Sequence, residues 1–439
     1  MSPFVLKKCA KGMMKPLCLI FRKSLLNNEL PREWKDANVT GLFKKGCKSI
    51  AVNYRPVSLT SIPCKILEGF IRDHMITHMV VNQLIAPEQH GFVPKKSCTT
   101  NLLETVDFVS QAMHNGDSVD LIELDFEKAF DTVPHRKLMV KTRAFGFHDQ
   151  ILNWIAEFLK NRRQRVVLGE EVTEWKQVLS GVPQGSVLGP LLFVIFINDM
   201  PRKITNPSKL YADDSKILSV IKSDLDAAVL QDDLYSICEW CDVWQAKFND
   251  IKCKVLHFGK KNPKFQYKLK IKDTESWHIL EESDCERDLG IMLTSNLKWG
   301  KQISNAAGRA NSILGRIKNS FSYFDVEMAS LVYTVFVRPH LEFAVPVWSP
   351  YSECDIKKLE SVQHRATRMV KGIKKMKYEQ RLKVYGITDL KTRRERGDLI
   401  QFYKYVNKCE DIRLVEDIKF GQDKVTYMDQ HLHEVYVKG

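Results

Sequence analysis

Two adjacent acidic residues, Asp213 and Asp214, are the side chains in this sequence best suited to do chemistry together. Apolar residues flank them at 210–212 and 217–218, which predicts a strand, a tight turn that carries both aspartates, and a second strand. Neighbouring carboxylates repel each other, and burying them costs several kcal/mol unless a cation offsets the charge. Mg²⁺ could do so, because it prefers carboxylate oxygens and keeps coordination sites for water and phosphate. An exposed turn is the commoner origin of a bare Asp-Asp pair, so the surrounding sequence has to decide.

A third acid, Asp125, ends an alternating stretch at 119–126. Period-two alternation places Leu124 on one face of a strand and Glu123 with Asp125 on the other, so Asp125 would stand at the end of that strand. A sheet that brings the three acids together could hold two divalent cations about 3.5–4 Å apart, an arrangement used for in-line phosphoryl displacement. One cation would lower the pKa of an attacking hydroxyl, and the other would neutralise a departing pyrophosphate.

The elements that must position these acids predict a mixed α/β body. Helical spacing of apolar residues predicts helices over 5–26, 64–81, 99–113, 135–144, 149–160 and 223–247. Alternating or extended runs predict strands at 39–43, 53–59, 253–258, 265–271 and 288–293, and a hairpin from 165–168 and 175–179. The glycine- and proline-bearing loop at 180–186 would let the backbone approach a ligand closely. An all-helical region follows, with predicted helices at 303–317, 326–337, 356–370 and 390–406.

The composition favours a nucleic-acid partner. The 439 residues carry a formal net charge of +14, and residues 357–396 hold 14 Lys and Arg against 4 Asp and Glu. A basic excess of this kind suggests polyanion binding, although a solvated helical face explains it as well. The most apolar stretch, 187–197, is far shorter than the roughly 20 residues that span a bilayer, so no membrane partner is expected. Eleven cysteines without a framework spacing indicate a reducing, intracellular compartment.

Several short motifs, taken in order, resemble the successive motifs of a reverse transcriptase. The central ones are LDFEKAFD at 124–131, SGVPQGS at 180–186 and YADD at 211–214. Further matches are NYRP at 53–56, QHGF at 89–92, FN at 248–249 with KC at 252–253, DLG at 288–290, RPHLEF at 338–343 and WSP at 348–350. Their form is similar to that of non-LTR (LINE-type, jockey-like) retrotransposons, and the ordered set is far more specific than any one motif.

This resemblance implies an α+β right-hand polymerase fold. Residues 1–115 would form the fingers, 116–300 the palm with interleaved fingers helices at about 134–180, and 301–439 a helical thumb with a basic C-terminal region. The implied activity is RNA-directed DNA synthesis, in which a primer 3′-OH is extended by two-metal nucleotidyl transfer. The implied cofactors are two Mg²⁺ ions, with Mn²⁺ as an alternative. The implied partners are an RNA template, a DNA primer or target DNA, and deoxynucleoside triphosphates, with the nucleus favoured over the cytoplasm.

The resemblance also assigns roles to individual residues. Asp125, Asp213 and Asp214 would be the catalytic, metal-binding acids. Phe130 would pack under the incoming sugar and exclude a 2′-OH, and Lys252 would donate a proton to pyrophosphate. The other residues implied to contact the nucleotide are Gln184, Gly185, Arg55, Lys65 and Arg72. The residues expected to contact nucleic acid are Lys95, Lys96, Lys374 and Lys375.

The sequence departs from the family pattern at several points. Glu127 stands where small or polar residues are frequent, which would add negative charge near the metals, and Val93 and Lys96 replace common arginines. Family members usually carry an endonuclease domain before the polymerase, so a truncated element copy is expected. A catalytically inactive or co-opted nucleic-acid-binding protein with the same fold is therefore an alternative, and an intron-encoded maturase is a third. Cys238, Cys241, Cys253 and His257 have the spacing of a zinc site, but buried free cysteines explain the pattern better.

Overall fold

The computed structural model describes residues 2–44, 46–271, 274 and 276–416. Its α-helices are α1 Pro3–Lys8, α2 Ala10–Asn27, α3 Arg32–Lys35, α4 Ile62–Val81, α5 Cys98–His114, α6 Ala129–Thr132, α7 His135–Ala144, α8 Asp149–Leu159, α9 Gly189–Ile197, α10 Asp224–Trp244, α11 Gly300–Ser320, α12 Val326–Val332, α13 Pro339–Glu342, α14 Val345–Trp348, α15 Glu353–Ala366, α16 Tyr378–Tyr385 and α17 Leu390–Val406. Its strands are β1 Asp36–Phe43, β2 Tyr54–Leu59, β3 Ser118–Leu124, β4 Arg163–Leu168, β5 Glu171–Val172, β6 Lys176–Gln177, β7 Ser208–Tyr211, β8 Asp214–Ile221, β9 Lys254–Phe258, β10 Lys268–Lys270, β11 Trp277–Ile279, β12 Glu281–Glu282, β13 Cys285–Asp288 and β14 Ile291–Thr294.

The central sheet has the strand order β12-β9-β3-β8-β7. β3 lies in its middle and pairs antiparallel with both β8 and β9. One face of β3, with Ile122 and Leu124, packs into the large core that contains α9 and α10. The other face, with Val119 and Leu121, packs into a smaller core under α5. The strand is therefore buried on both faces, and Asp125 follows directly at its end.

A second sheet lies towards the N-terminal part of the chain, with the strand order β2-β1-β4-β5 and β6 paired to β4. β1 pairs antiparallel with β2 and parallel with β4. The predicted hairpin from 165–168 and 175–179 corresponds to β4, which pairs with β5 near its end and with β6 near its start. This sheet matters for the site because β2 contacts the loop at 180–186.

Two predicted strands differ from the observed structure. The stretch at 288–293 is the turn and second strand of a hairpin, β13–β14, because Leu289 and Gly290 adopt positive φ angles of 41° and 99°. Alternation alone does not reveal such a turn, although glycine is the residue that tolerates it best. The strand predicted at 265–271 is shorter in the structure, where β10 covers Lys268–Lys270.

The region after residue 300 is helical, as predicted, and has its own core. Ile303, Ala310 and Leu314 of α11 pack with Leu359 and Val362 of α15. The predicted helix at 326–337 ends at Val332 and continues as a π-helical turn to Val337. The predicted helix at 390–406 matches α17. Within the described ranges, no helix combines the length and the apolar character needed to cross a membrane.

Candidate active site

The sheet register brings the three predicted acids to one end of the central sheet. β3 and β8 pair so that the residue before Asp125 faces the residue after Asp214. β7 and β8 form a hairpin whose two-residue turn is Ala212-Asp213. Asp214 is thus the first residue of β8 rather than a turn residue, which corrects the predicted position. Carboxylates that are distant in the sequence therefore stand side by side.

The hairpin turn is held in place by the loop that precedes α5. Ala212 has a positive φ of 56°, and its amide donates to Gln89 Oε1 at 3.0 Å. The same oxygen accepts from the Gly91 amide at 2.7 Å. A Cβ atom on Gly91 would stand 2.5 Å from the Ala212 nitrogen, so only glycine permits this approach. The loop fixes the backbone of the residue directly before Asp213.

Burial and mutual repulsion raise the pKa of two of the three acids. Burial, followed by the charges of Asp213, Asp288 and Asp125, raises the pKa of Asp214 to about 6, although Lys216 opposes the shift. Burial and the charge of Asp125 also raise the pKa of Asp213. Carboxylates in such surroundings bind protons or metal ions more readily than isolated ones. The donor set is therefore suited to a divalent cation.

One oxygen of Asp125 already carries a positive partner. Lys252 Nζ lies 2.8 Å from Asp125 Oδ2, and the Asp125 carbonyl accepts from the Asn249 amide at 2.7 Å. As the side chains stand, no three His, Cys, Asp or Glu residues of the described chain close around one point as a metal site. The three aspartates could hold a metal if the Asp125 carboxylate turned from Lys252 towards its neighbours.

Asp125 and Asp214 line an open cleft with a cavity of about 250 Å³. Lys252 also lines the cleft, as do Arg287 and Asp288 of the β13–β14 hairpin. Asp288 pairs with Lys216 of β8, which joins the motif at 288–290 to the strand that carries Asp214. The space is suited to a chain end that approaches the carboxylates.

A second cluster joins the loop at 180–186 to β2. The Ser58 amide donates to the Gln184 carbonyl at 2.8 Å, and Gln184 Nε2 donates to Asp131 Oδ1 at 2.9 Å. Gly185 has a φ of 110°, and a Cβ atom there would stand 2.5 Å from the Ser58 oxygen. The loop therefore bridges the second sheet and the segment after β3.

Phe130 lies between this loop and the core. Its ring stacks on Phe193 of α9 with centroids 4.6 Å apart, and its carbonyl accepts from the Val182 amide at 2.7 Å. The side chain is only partly buried, so part of it remains exposed. The Phe193 ring and the hydrogen bond from Val182 restrict the movement of Phe130.

Comparison with known proteins now identifies the family. Residues 43–286, more than half of the chain, match the family model described as reverse transcriptase (RNA-dependent DNA polymerase). The chain belongs to the reverse transcriptase family. The predicted α+β right-hand polymerase fold is thereby confirmed, with the acids on its antiparallel sheet.

Among similar proteins is the RNA-directed DNA polymerase from mobile element jockey of Drosophila melanogaster, 28% identical over 371 residues that cover 81% of this chain. The probable RNA-directed DNA polymerase from transposon BS of the same species is 26% identical over the same share. The chain spans 40% of the length of each of these relatives. Among solved structures, telomerase from Candida albicans in complex with a fragment of telomeric RNA aligns over 84% of this chain and 68% of its own, with a TM-score of 0.43 and 8% identity.

Three basic residues, Arg55, Lys65 and Arg72, are predicted to contact the nucleotide, and their surroundings differ. Burial raises the pKa of Asp213, and the charges of Arg55 and Lys44 oppose this rise. Arg72 donates to the neighbouring Asp73 at 2.7 Å, and Lys65 is half-buried two turns earlier on α4. The charge of Arg55 thus acts on Asp213, while the nucleotide-binding roles of Arg55, Lys65 and Arg72 stay predictions.

The lysines predicted to contact nucleic acid also differ in their exposure. Lys374 and Lys375 are exposed after α15, and Lys95 is exposed with its Nζ 3.2 Å from the Lys408 carbonyl. The side chain of Lys96 is only 5% exposed, donates to the Pro87 carbonyl and lies 3.6 Å from Asp411. Lys96 is thus turned into the protein, which corrects the expectation of a free template contact at this position.

The remaining sequence features have structural partners. Glu127 pairs with Lys247 at 2.9 Å, so its charge is compensated rather than added to that of the aspartates. Cys238 and Cys241 are buried in α10, and Cys253 is buried beneath Asp125.

Sequence reasoning missed two residues that support the site, Gln89 and Asp131. Both lie inside quoted motifs, so the signal was present. Their side chains bond to backbone or amide groups that are remote in sequence, and such partners cannot be read from a motif alone.

Proposed function

We propose that this chain is an RNA-directed DNA polymerase of a non-LTR retrotransposon that extends a primer 3′-OH. The observation that carries the proposal is the β3–β8 register, because it sets Asp125 beside the Ala212-Asp213 turn and Asp214 at an open cleft. Family membership supports the same activity.

In this proposal Asp125, Asp213 and Asp214 hold two Mg²⁺ ions, or Mn²⁺ in their place. When bound, such ions supply the Lewis acidity that activates a 3′-OH and neutralises a departing pyrophosphate. Lys252, 2.8 Å from Asp125, is positioned to give a proton to the leaving group. Arg55 steadies the triphosphate from β2, because its positive charge acts on Asp213.

The loop at 180–186 places the nucleotide. Gln184 is held by Asp131 and by β2, so its backbone and Gly185 present a fixed surface to the incoming base pair. Phe130 forms the floor under the sugar, with Phe193 behind it. A ring that cannot retreat excludes an additional 2′-OH on steric grounds.

The proposed partners are an RNA template, a DNA primer or nicked target DNA, and deoxynucleoside triphosphates, met in the nucleus. We assign residues 1–115 to the fingers, 116–300 to the palm with interleaved helices at about 134–180, and 301–439 to the thumb and basic region, of which 417–439 lie outside the described residues. The exposed basic side chains at 357–396, including Lys374 and Lys375, would contact phosphates, so affinity should fall with salt.

The test is primer extension by the purified chain on an RNA template with Mg²⁺, with Asp213→Asn as the inactive variant. Asp232→Asn, on the exposed side of α10, is the matched control. Extension by the wild type and the control, and its loss in Asp213→Asn, supports the proposal. Salt-sensitive RNA binding without extension would favour an inactive or co-opted nucleic-acid-binding protein instead.

The extension rate should fall as the pH is lowered through about 6. The pKa of Asp214 is raised to about 6, so near this pH half of its carboxyl groups are protonated and unable to bind a cation. Because Mg²⁺ competes with the proton, a higher Mg²⁺ concentration should move the midpoint to lower pH. Extension rates measured from pH 5 to 8 at two Mg²⁺ concentrations test this prediction. If the pH midpoint of the rate is the same at both concentrations, Asp214 is not a metal ligand.

Phe130→Val should relax discrimination against ribonucleotides by on the order of tenfold or more, since the wall under the sugar is shortened. Phe130→Tyr keeps the bulk and should discriminate as the wild type does. The ratio of kcat/KM for a deoxynucleotide and its ribonucleotide measures the effect. Equal ratios in the valine variant and the wild type would show that Phe130 is only a core residue.

A further inference from the structure

After α17 the chain runs back across the body and bonds to α5 and to the loop before it. The Asp411 amide donates to the Lys95 carbonyl at 2.8 Å. The Val415 amide donates to Asp107 Oδ2 at 2.7 Å. We call residues 408–416 the strap. Its contacts lie on the side of the sheet that carries β7.

The strap and β7 share one buried acceptor, Glu104 of α5. The Glu104 side chain is fully buried. Its Oε1 accepts from the Arg413 amide at 2.9 Å, and its Oε2 pairs with Lys209 of β7. His90 Nε2 lies 3.6 Å from the same Oε2. One carboxylate thus connects three segments that are far apart in sequence.

β7 is the edge strand of the central sheet, and its outer side is bonded to the loop before α5 through a bridge between Leu210 and Gln89. The Leu210 amide donates to the Glu88 carbonyl at 2.9 Å, and the Leu210 carbonyl accepts from the His90 amide at 2.8 Å. Lys209, the residue before this bridge, supplies the side-chain anchor to Glu104. The position of the turn at 212–213 therefore depends on the anchoring of β7.

The charge of Glu104 makes these contacts obligatory. Burial alone would raise the pKa of its carboxyl. The contacts with His90 and Lys209 outweigh burial and lower the pKa to about 2. When an ionised buried carboxylate loses a hydrogen-bond donor, its uncompensated desolvation destabilises the fold. Its neighbours then rearrange to supply another donor. Removing either the Lys209 ammonium or the Arg413 amide therefore disturbs the other partner as well.

We propose that Glu104 is a positioning residue for DNA synthesis, and that the 408–416 strap acts through it to hold β7 and the hairpin that carries Asp213 and Asp214. This inference rests on the proposed polymerase function. It assigns to the strap a role in the active site, although the strap lies outside the region that matches the family model. In this proposal Glu104 and the strap act on the hairpin and make no contact with substrate.

Glu104→Gln should lower kcat by about tenfold and raise the Mg²⁺ concentration needed for half-maximal rate, since residues that orient metal ligands commonly contribute 10–100-fold. The KM for primer–template should stay within about twofold, because the nucleic-acid surface is untouched. Lys209→Met, which leaves Glu104 in place, is the second variant should Glu104→Gln fold poorly. An unchanged Mg²⁺ midpoint in both variants would overturn the positioning role.

The strap is tested by two substitutions at one residue. Arg413→Pro removes the amide that donates to Glu104, whereas Arg413→Ala keeps the amide and removes only the side chain. The proline variant should reproduce the Mg²⁺ shift of Glu104→Gln, and the alanine variant should behave as the wild type. If the two variants need the same Mg²⁺ concentration for half-maximal rate, the strap does not act on the site through the Arg413 amide.

A readout without catalysis separates this inference from the proposed function. Amide hydrogen exchange at 208–215 should be faster in Glu104→Gln and in Arg413→Pro than in the wild type and Arg413→Ala. If the wild type does not extend primers but this pattern is seen, the polymerase proposal fails while the strap linkage stands. Unchanged exchange at 208–215 in a polymerase that is active would overturn the linkage alone.

Discussion

Asp214→Asn is expected to lower the rate of primer extension by about 10³-fold or more while the chain folds at least as stably as the wild type. The carboxylate contributes several kcal/mol to cation-assisted stabilisation of a phosphoryl-transfer transition state, and each 1.36 kcal/mol is a tenfold change in rate. Asparagine keeps the size of the side chain but removes the negative charge.

The stability half of this prediction follows from the raised pKa of Asp214. Burial and the nearby aspartates raise that pKa to about 6, so above this pH the ionised side chain opposes folding. Asparagine removes the opposition, although Asp214 is exposed enough for water to screen most of it, which limits the gain to about 1 kcal/mol or less. Thermal unfolding and single-turnover extension measure the two halves. If the loss of activity is accompanied by a decrease of several degrees in Tm, Asp214 has a structural role instead.

Gly185→Ala is expected to lower kcat/KM for the incoming nucleotide by about 100-fold, since a displacement of about 1 Å in a positioning group can cost that much. Gly185 has a φ of 110°, and an added Cβ would stand 2.5 Å from the Ser58 backbone oxygen. The loop would have to separate from β2, which breaks the hydrogen bond from the Ser58 amide to the Gln184 carbonyl.

Gly169 provides the matched control for this prediction. It also has a positive φ, 62°, but a Cβ there would meet no atom within 4 Å. Gly169→Ala should therefore leave kcat/KM for the nucleotide near the wild-type value. If the two alanine variants lose the same activity, backbone strain rather than the contact with Ser58 explains the effect. Full activity in Gly185→Ala would show that the loop does not place the nucleotide.

The core of the candidate site could be predicted from sequence because its residues lie in contiguous motifs. Asp125, Asp213 and Asp214 follow apolar strands whose alternation is visible in the chain, and the ordered motifs resemble those of a known family. Antiparallel pairing then brings them together, since β3 and β8 are the strands that precede and follow these acids.

The supporting contacts could not be predicted in the same way. Glu104 and Arg413 are 309 residues apart, and neither residue type indicates that a backbone amide will meet a buried carboxylate. Lys96 shows the converse limit, because a lysine in a basic loop looks like a nucleic-acid contact until the fold turns it towards Asp411. The hairpin at 285–294 was predicted as a single strand at 288–293 because local alternation continues through its turn.

The most direct test of the central claim is to count the Mn²⁺ ions bound by the chain with primer–template and a nucleotide, using a primer that lacks its 3′-OH. The wild type and Asp232→Asn should bind about two ions per chain in the cleft, as two-metal transfer requires. Asp125→Asn should lose at least one of them, because Asp125 reaches the site from a different strand than the other acids. Equal ion counts in the wild type and Asp125→Asn would contradict the claim that the three carboxylates act as one unit.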